Sequence, residues 1–249
     1  MADGSLSKNV SASATRLRRE ATFVFSGRVE REASSSLSFI PSSPGTAVVR
    51  VERIYHAPPD LTDQRGQDVT VLLADGSPPQ QGDRRLVFFT DPVAYGETMG
   101  VREIGRIDEP EQSDALEDLV ARVTSEMNEE EIREHLASAD AVIHGRVTER
   151  HQAHDGSRRF SEHDPDWWIA RVEVIRSFKG GLEGTIDVRY PNSRDVRWYL
   201  VPKPDEGQEA IFVLHRDGQR VGDATLALRH PNDLIPAEPD DLDRHARLV

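Results

Sequence analysis

The chain contains no cysteine in its 249 residues. That excludes disulfide staples, thiolate metal sites and cysteine nucleophiles, so catalysis or metal binding must use imidazole, carboxylate or hydroxyl groups. Long apolar runs are also missing, and no stretch approaches the roughly 18 residues that read as a membrane helix. The opening MADGSLSKNVSASATRLRRE lacks the apolar segment of a secretory signal. The expected compartment is therefore the cytoplasm, with a removed signal peptide as the alternative. Basic charge is scarce: 31 Lys and Arg face 44 Asp and Glu, leaving a net charge of −13. Phosphate-backbone binding draws its affinity from clustered Lys and Arg, so this balance argues against nucleic acid as the partner. The compact basic run TRLRRE is accounted for by a helix face. Neither a G-x-S-x-G nucleophile turn nor a G-x-x-x-x-G-K phosphate loop occurs, so no enzymatic activity is expected.

What is present is a globular composition, with 37% hydrophobic residues to build a core and 30% charged residues to cover it. It is written twice. Residues 23–34 read FVFSGRVEREAS and residues 141–152 read AVIHGRVTERHQ, with Gly-Arg-Val 118 positions apart (27 to 145). A Ser/Pro-rich stretch then leads to AVVRVERIY, and a polar stretch leads to WWIARVEVIRSF. Arg50-Val51-Glu52 aligns with Arg171-Val172-Glu173 at an offset of 121 (50 to 171). The runs DVTVLL and TIDVRY follow, then QGDRRLVFFT and EGQEAIFVLH, with Gly82 opposite Gly207. Elements held in one order at nearly constant spacing mark an internal duplication.

The matched runs alternate as half-buried strands do. Trp168, Ala170, Val172 and Val174 share one face, and Arg171 and Glu173 share the other. Gly27 and Gly145 sit inside strands, where glycine marks a bulge or a close backbone approach. Helical spacing of Leu116, Leu119, Val120, Val123 and Met127 predicts a helix over 113–127. Asn128 reads as the cap of a second helix over 129–137. The expected fold class is mainly β with flanking helices, in two domains, 1–127 and 128–249.

The second half carries Gly145-Arg146-Val147, Val172-Glu173-Val174, Lys179-Gly180 and Ile211-Phe212-Val213-Leu214. The first keeps Gly27-Arg28-Val29 and Leu86-Val87-Phe88-Phe89 but has HAPPD in place of the Lys-Gly step. This set resembles the netrin-like, TIMP-like branch of OB-fold domains. The resemblance implies two tandem five-stranded OB-like barrels, each with a packed helix, used for binding rather than chemistry. A pair of small β-sandwiches is the alternative with the same strand count. Family members that inhibit metalloproteases act through an N-terminal cysteine, which this chain lacks, so that activity does not carry over.

Two stretches stand out as candidate sites. HQAHDGSRRFSEHDPDWW brings together His151, His154, Asp155, His163, Asp164 and Asp166, ligand types that suit zinc or nickel. A solvated loop collects the same residues without a metal, so no cofactor is expected. All three tryptophans lie in the second half. At period two, one of Trp167 and Trp168 faces outward, either to form a contact site with Arg171 or to be covered by NSRDVRWYLVPKPD. The interaction residues read from the sequence are Trp167, Arg171, His151, His154 and His163. The expected function is a non-catalytic protein-interaction or structural module whose partner is a protein or further copies of the chain. The alternative is a metal-binding protein or metal-dependent hydrolase using the 151–166 loop.

Overall fold

A computed structural model describes residues 6–76, 84–95, 98–153, 166–193, 195, 198–221 and 224–249. The chain divides into two compact units, Met1–Glu129 and Glu130–Val249. The first contains α1 (Lys8–Glu20), β1 (Phe23–Glu32), β2 (Thr46–His56), β3 (Asp68–Leu72), β4 (Leu86–Tyr95) and β5 (Met99–Asp108). Helix α2 (Ser113–Ser138) follows. The second unit contains β6 (Ala141–Gln152), β7 (Trp167–Lys179), β8 (Thr185–Pro191), β9 (Glu209–Val221), β10 (Ala224–Ala227), β11 (Leu234–Pro236) and α3 (Pro239–Leu248). The protein is mainly β. Among the described residues no helix is long and apolar enough to cross a membrane.

In the first unit the strands close into a barrel in the order β1-β2-β3-β5-β4, with β3 and β5 parallel and the other neighbours antiparallel. The second unit repeats the order as β6-β7-β8-β10-β9. Strand β10 runs parallel to β8, and its antiparallel pairing with β9 brings the sheet round into a ring. Strand β11 adds to β9 as a sixth member, which the expected five-stranded pattern does not contain.

The Gly-Arg-Val strands carry the duplication into the backbone. Strand β1 shifts register at Val24/Phe25, Ser26/Gly27 and Val29/Arg31. Strand β6 does so at Val142/Ile143, His144/Gly145 and Val147/Glu149, each 118 residues on. A Cβ on Gly27 would collide with the Arg50 carbonyl oxygen and lie 2.8 Å from Val49 Cγ1. A Cβ on Gly145 would lie 2.6 Å from Val172 Cγ1 and 3.0 Å from the Glu173 oxygen. The equivalent neighbours are therefore Val49 with Val172 and Val51 with Val174, since Gly27 pairs with Val51 and Gly145 with Val174. The Arg-Val-Glu alignment read from the sequence is two residues out of register. A slip of two keeps every side chain on its own face, which is why alternation did not expose it. Gly82 lies outside the described residues.

Alternation sorts the core into layers. In the first barrel Phe23, Phe25, Val49, Val51, Val69, Val71, Phe88 and Val101 form one buried cluster, with Phe25 stacked between Phe23 and Phe88. The intervening Val24, Val87 and Phe89 turn to the other face, against Ala14 and Leu17 of α1 and Leu116, Leu119, Val120 and Val123 of α2. The second unit does the same with Ile143, Val172, Val188, Tyr190 and Phe212 inside. There Val142, Ile211 and Val213 pack against Leu136 of α2 and Leu242 and Leu248 of α3.

The two helices expected around Asn128 are one helix, a correction with a simple cause. Asn inside a helix costs less than about 1 kcal/mol relative to Ala, and neither Gly nor Pro interrupts the run. The first half of α2 serves the first unit and the second half serves the second. The Lys179-Gly180 step has a structural role at its end: Lys179 Nζ donates to the carbonyls of Leu136 (3.0 Å) and Ala137 (2.7 Å), capping the C-terminus.

At the corresponding place in the first unit stands His56. The buried Arg18 guanidinium donates to His56 Nε2 at 2.9 Å, to Thr124 Oγ1 at 2.9 Å and to the Ala21 carbonyl at 2.8 Å. Guanidinium can only donate, so Nε2 accepts and His56 is neutral. Burial, and then the Arg18 charge, push its pKa down from 6.5 to about 4. Below pH 6.5 the unfolded chain therefore takes up a proton that the folded chain refuses. Stability is full above pH 6.5 and falls toward pH 4, by at most about 3 kcal/mol. His56→Gln supplies an acceptor that does not titrate. Calorimetric melting at pH 7 and pH 4.5 should show a smaller acid-induced drop in the variant than in the wild type, and an equal drop would count against this account.

Candidate functional site

Strand β7 places its indoles on opposite faces. Trp168 packs against the core of the second unit, while Trp167 lies on the outer face with Ile169 and Arg171. The cation over Trp167 is not Arg171. It is Arg189 of β8, only 2% exposed, whose guanidinium carbon lies 3.6 Å from the ring centroid. Trp198 meets the same indole edge-on at 5.6 Å. Arg171 is instead tied to Glu149 Oε2 at 2.9 Å and Asp187 Oδ1 at 3.2 Å. Beyond Trp198 the chain turns through Tyr199 and Leu200, each 66% exposed. His151 is half-buried on β6 opposite Ile169, with its Nδ1 making no hydrogen bond. His154, Asp155, His163 and Asp164 lie outside the described residues.

The same face of the first unit is occupied by its own chain. Val48 and Thr70 stand where the second unit has Arg171 and Asp187, and both are fully buried. The Ser/Pro-rich loop between β1 and β2 folds over them. Ser36 donates its backbone N–H to Thr70 Oγ1 at 2.9 Å, and its hydroxyl lies 2.9 Å from Thr70 Oγ1 and 2.8 Å from Thr98 Oγ1. Leu37 is buried beneath. A polar cavity of about 480 Å³ also opens in this unit, lined in part by Glu52, Arg53, Arg85 and Glu109. Two of its arginines are engaged, Arg53 with Ser113, Asp114 and Glu117, and Arg85 with Glu52.

A different group is the most concentrated set of metal-type ligands among the described residues. His135 near the end of α2, His215 on β9 and Asp233 just before β11 place one ligand atom each within 4.8 Å of one another. Asp233 Oδ1 lies 2.9 Å from His135 Nε2 and 3.2 Å from His215 Nε2. Its Oδ2 accepts the backbone N–H groups of Arg229 and His230. The carboxylate is fully buried. Burial alone would raise its pKa, but the hydrogen bonds from His215, Arg229 and His230 outweigh it and hold the group below its ordinary value. The exposed His230 ring stands 5.6 Å from the His135 ring and 5.3 Å from that of His215.

Sequence reading passed over this set because its members come from three separated elements. The one local signal was His230-Pro-Asn-Asp233, a turn whose carboxylate can reach back to its own backbone.

No family model matches the chain, and no curated protein matches it. Among solved structures, a murine DNA-binding protein bound with double-stranded DNA is 15% identical, covering 78% of this chain and 85% of that one, at a TM-score of 0.20. A superposition that loose supports no argument about fold or ligand.

Proposed function

We propose that the chain is a non-catalytic protein-interaction module built from two duplicated OB-like barrels, with its contact surface on the second. The strand order one-two-three-five-four, repeated in both units with strands three and five parallel, supports the OB-like reading. In such folds the face of strands two and three and the adjoining loops is where ligands bind. In the first unit that face is closed by the Ser36–Thr70 contacts. In the second it carries the Trp167–Arg189–Trp198 stack, and the observation that carries the proposal is the exposed Tyr199-Leu200 pair beside it. Aromatic and arginine side chains dominate protein contact energies. Among the described residues Arg171 is held by Glu149 and Asp187 and so is not a free positive charge of the kind a phosphate backbone needs.

The double variant Tyr199→Ser/Leu200→Ser tests this, with Phe39→Ser, at another exposed apolar residue, as control. Light scattering reads self-association, and quantitative pull-down reads other proteins. The double variant should lose either signal by about tenfold or more while the control retains it. Equal behaviour of wild type and both variants would overturn the assignment.

A further inference from the structure

We propose that His135, His215 and Asp233 bind one divalent transition-metal ion of the zinc class, with His230 at the open side. The strongest reason comes from the duplicate. Helix α1 ends at Glu20 and α2 at Ser138, 118 residues on, so Leu17 and His135 occupy matching places. Strand pairing places Gly105 and Asp233 in matching registers. Gly105 pairs with Phe89 in the first unit. In the second, Asp233 directly precedes Leu234, whose partner is Phe212. In the first unit the first two of these positions are apolar, Leu17 packing onto Gly105, while the counterpart of His215 is Asp91, which accepts from Thr22. In the second an imidazole and a buried carboxylate face each other where a leucine satisfies the packing.

The strand bearing Asp233 has been remodelled as well. Strand β5 runs unbroken from Met99 to Asp108, whereas its counterpart is split into β10 and β11. From Arg102 to Gly105 there are two intervening residues. From Ala227 to Asp233 there are five, and these additional residues form the turn holding His230 and cradling Asp233 Oδ2.

The separations from the Asp233 carboxylate fit ligands around a shared ion, and all three ligand atoms lie within 4.8 Å of one another. For bonds near 2.0–2.1 Å, ligand atoms on a tetrahedral zinc stand about 3.3 Å apart. The observed separations from Asp233 Oδ1 are 2.9 and 3.2 Å. His135 Nε2 is buried and lies 2.9 Å from that oxygen, yet it makes no hydrogen bond. A buried polar atom that makes no hydrogen bond has a cost that coordination would remove. The backbone bonds to Oδ2 orient the carboxylate as outer-shell partners do. Imidazole and carboxylate without thiolate suit zinc, with nickel or copper as competitors.

The test titrates Zn²⁺ into the metal-stripped full chain by calorimetry and Co²⁺ by visible absorption. One equivalent should bind, and melting should shift upward with it. His135→Leu restores the packing of the first unit, so it should stay folded while losing affinity on the order of a hundredfold or more, with the tetrahedral Co²⁺ bands. His215→Gln should lose them also. The triple variant His151→Gln/His154→Gln/His163→Gln should keep them. Absence of binding by the wild type, undiminished binding by His135→Leu, or loss confined to the triple variant would each overturn the proposal.

Discussion

Val172→Asp collapses the second unit. Val172 has no exposed surface and lies among Ala170, Val188, Tyr190 and Phe212. The side chains of that cluster are apolar apart from the Tyr190 hydroxyl, so a carboxylate there is taken out of water. Replacement of a packed valine by a buried acid costs about 4 kcal/mol or more, a large fraction of the stability of an ordinary domain. Glu173→Ala, one residue on and facing solvent, should change stability by about 0.5 kcal/mol or less. Because Trp167, Trp168 and Trp198 all belong to the second unit, tryptophan fluorescence follows its unfolding directly. Coincident melting of the two variants would show that the faces of β7 are assigned the wrong way round.

Gly27→Ala should rank next, at about 3 kcal/mol. The added methyl meets the Arg50 carbonyl, a backbone atom fixed in the β1–β2 ladder that cannot rotate away. Gly145→Ala meets Val172 Cγ1 first, at 2.6 Å, and a side chain yields more easily, so its cost should be smaller. Gly45→Ala is the control, since its Cβ would reach only Ser43 Oγ at an ordinary 3.6 Å. Denaturant unfolding should rank the costs in the order Gly27, Gly145, Gly45. Equal midpoints for the three would remove close backbone approach as the reason these strands contain glycine.

The β character and the layering were legible because both follow from period-two burial, and the duplication because Gly-Arg-Val and the runs after it recur in one order. Trp168 and Val172 turned inward and Arg171 outward as alternation required. Three things were hidden, each for a physical reason. The continuity of α2 across Asn128 was masked because a good cap residue is also a tolerable helix residue. The two-residue slip between the Arg-Val-Glu motifs was invisible because it preserves the face of every side chain. Arg189 over Trp167 and Asp233 between His135 and His215 depend on which strands become neighbours, and no local pattern encodes that. The His/Asp-rich loop drew attention because its ligand types are contiguous, whereas the set that converges in space draws on a helix, a strand and a turn.

The paired register shifts of β1 and β6 also record how the two copies have diverged. Their offset is constant at 118 along the whole strand, yet it becomes 123 from Val51 to Val174, 117 from Val69 to Ile186 and 124 from Leu86 to Ala210. Length changes have thus accumulated between these strands and not within them, because gaining or losing one residue inside a strand inverts its remaining side chains. The exception is the counterpart of β5, where three extra residues split the strand and their turn supplies His230 and Asp233. Related chains that retain an unsplit strand should carry an apolar residue at the position of His135, so the polar cluster and the insertion would have entered or left this lineage together.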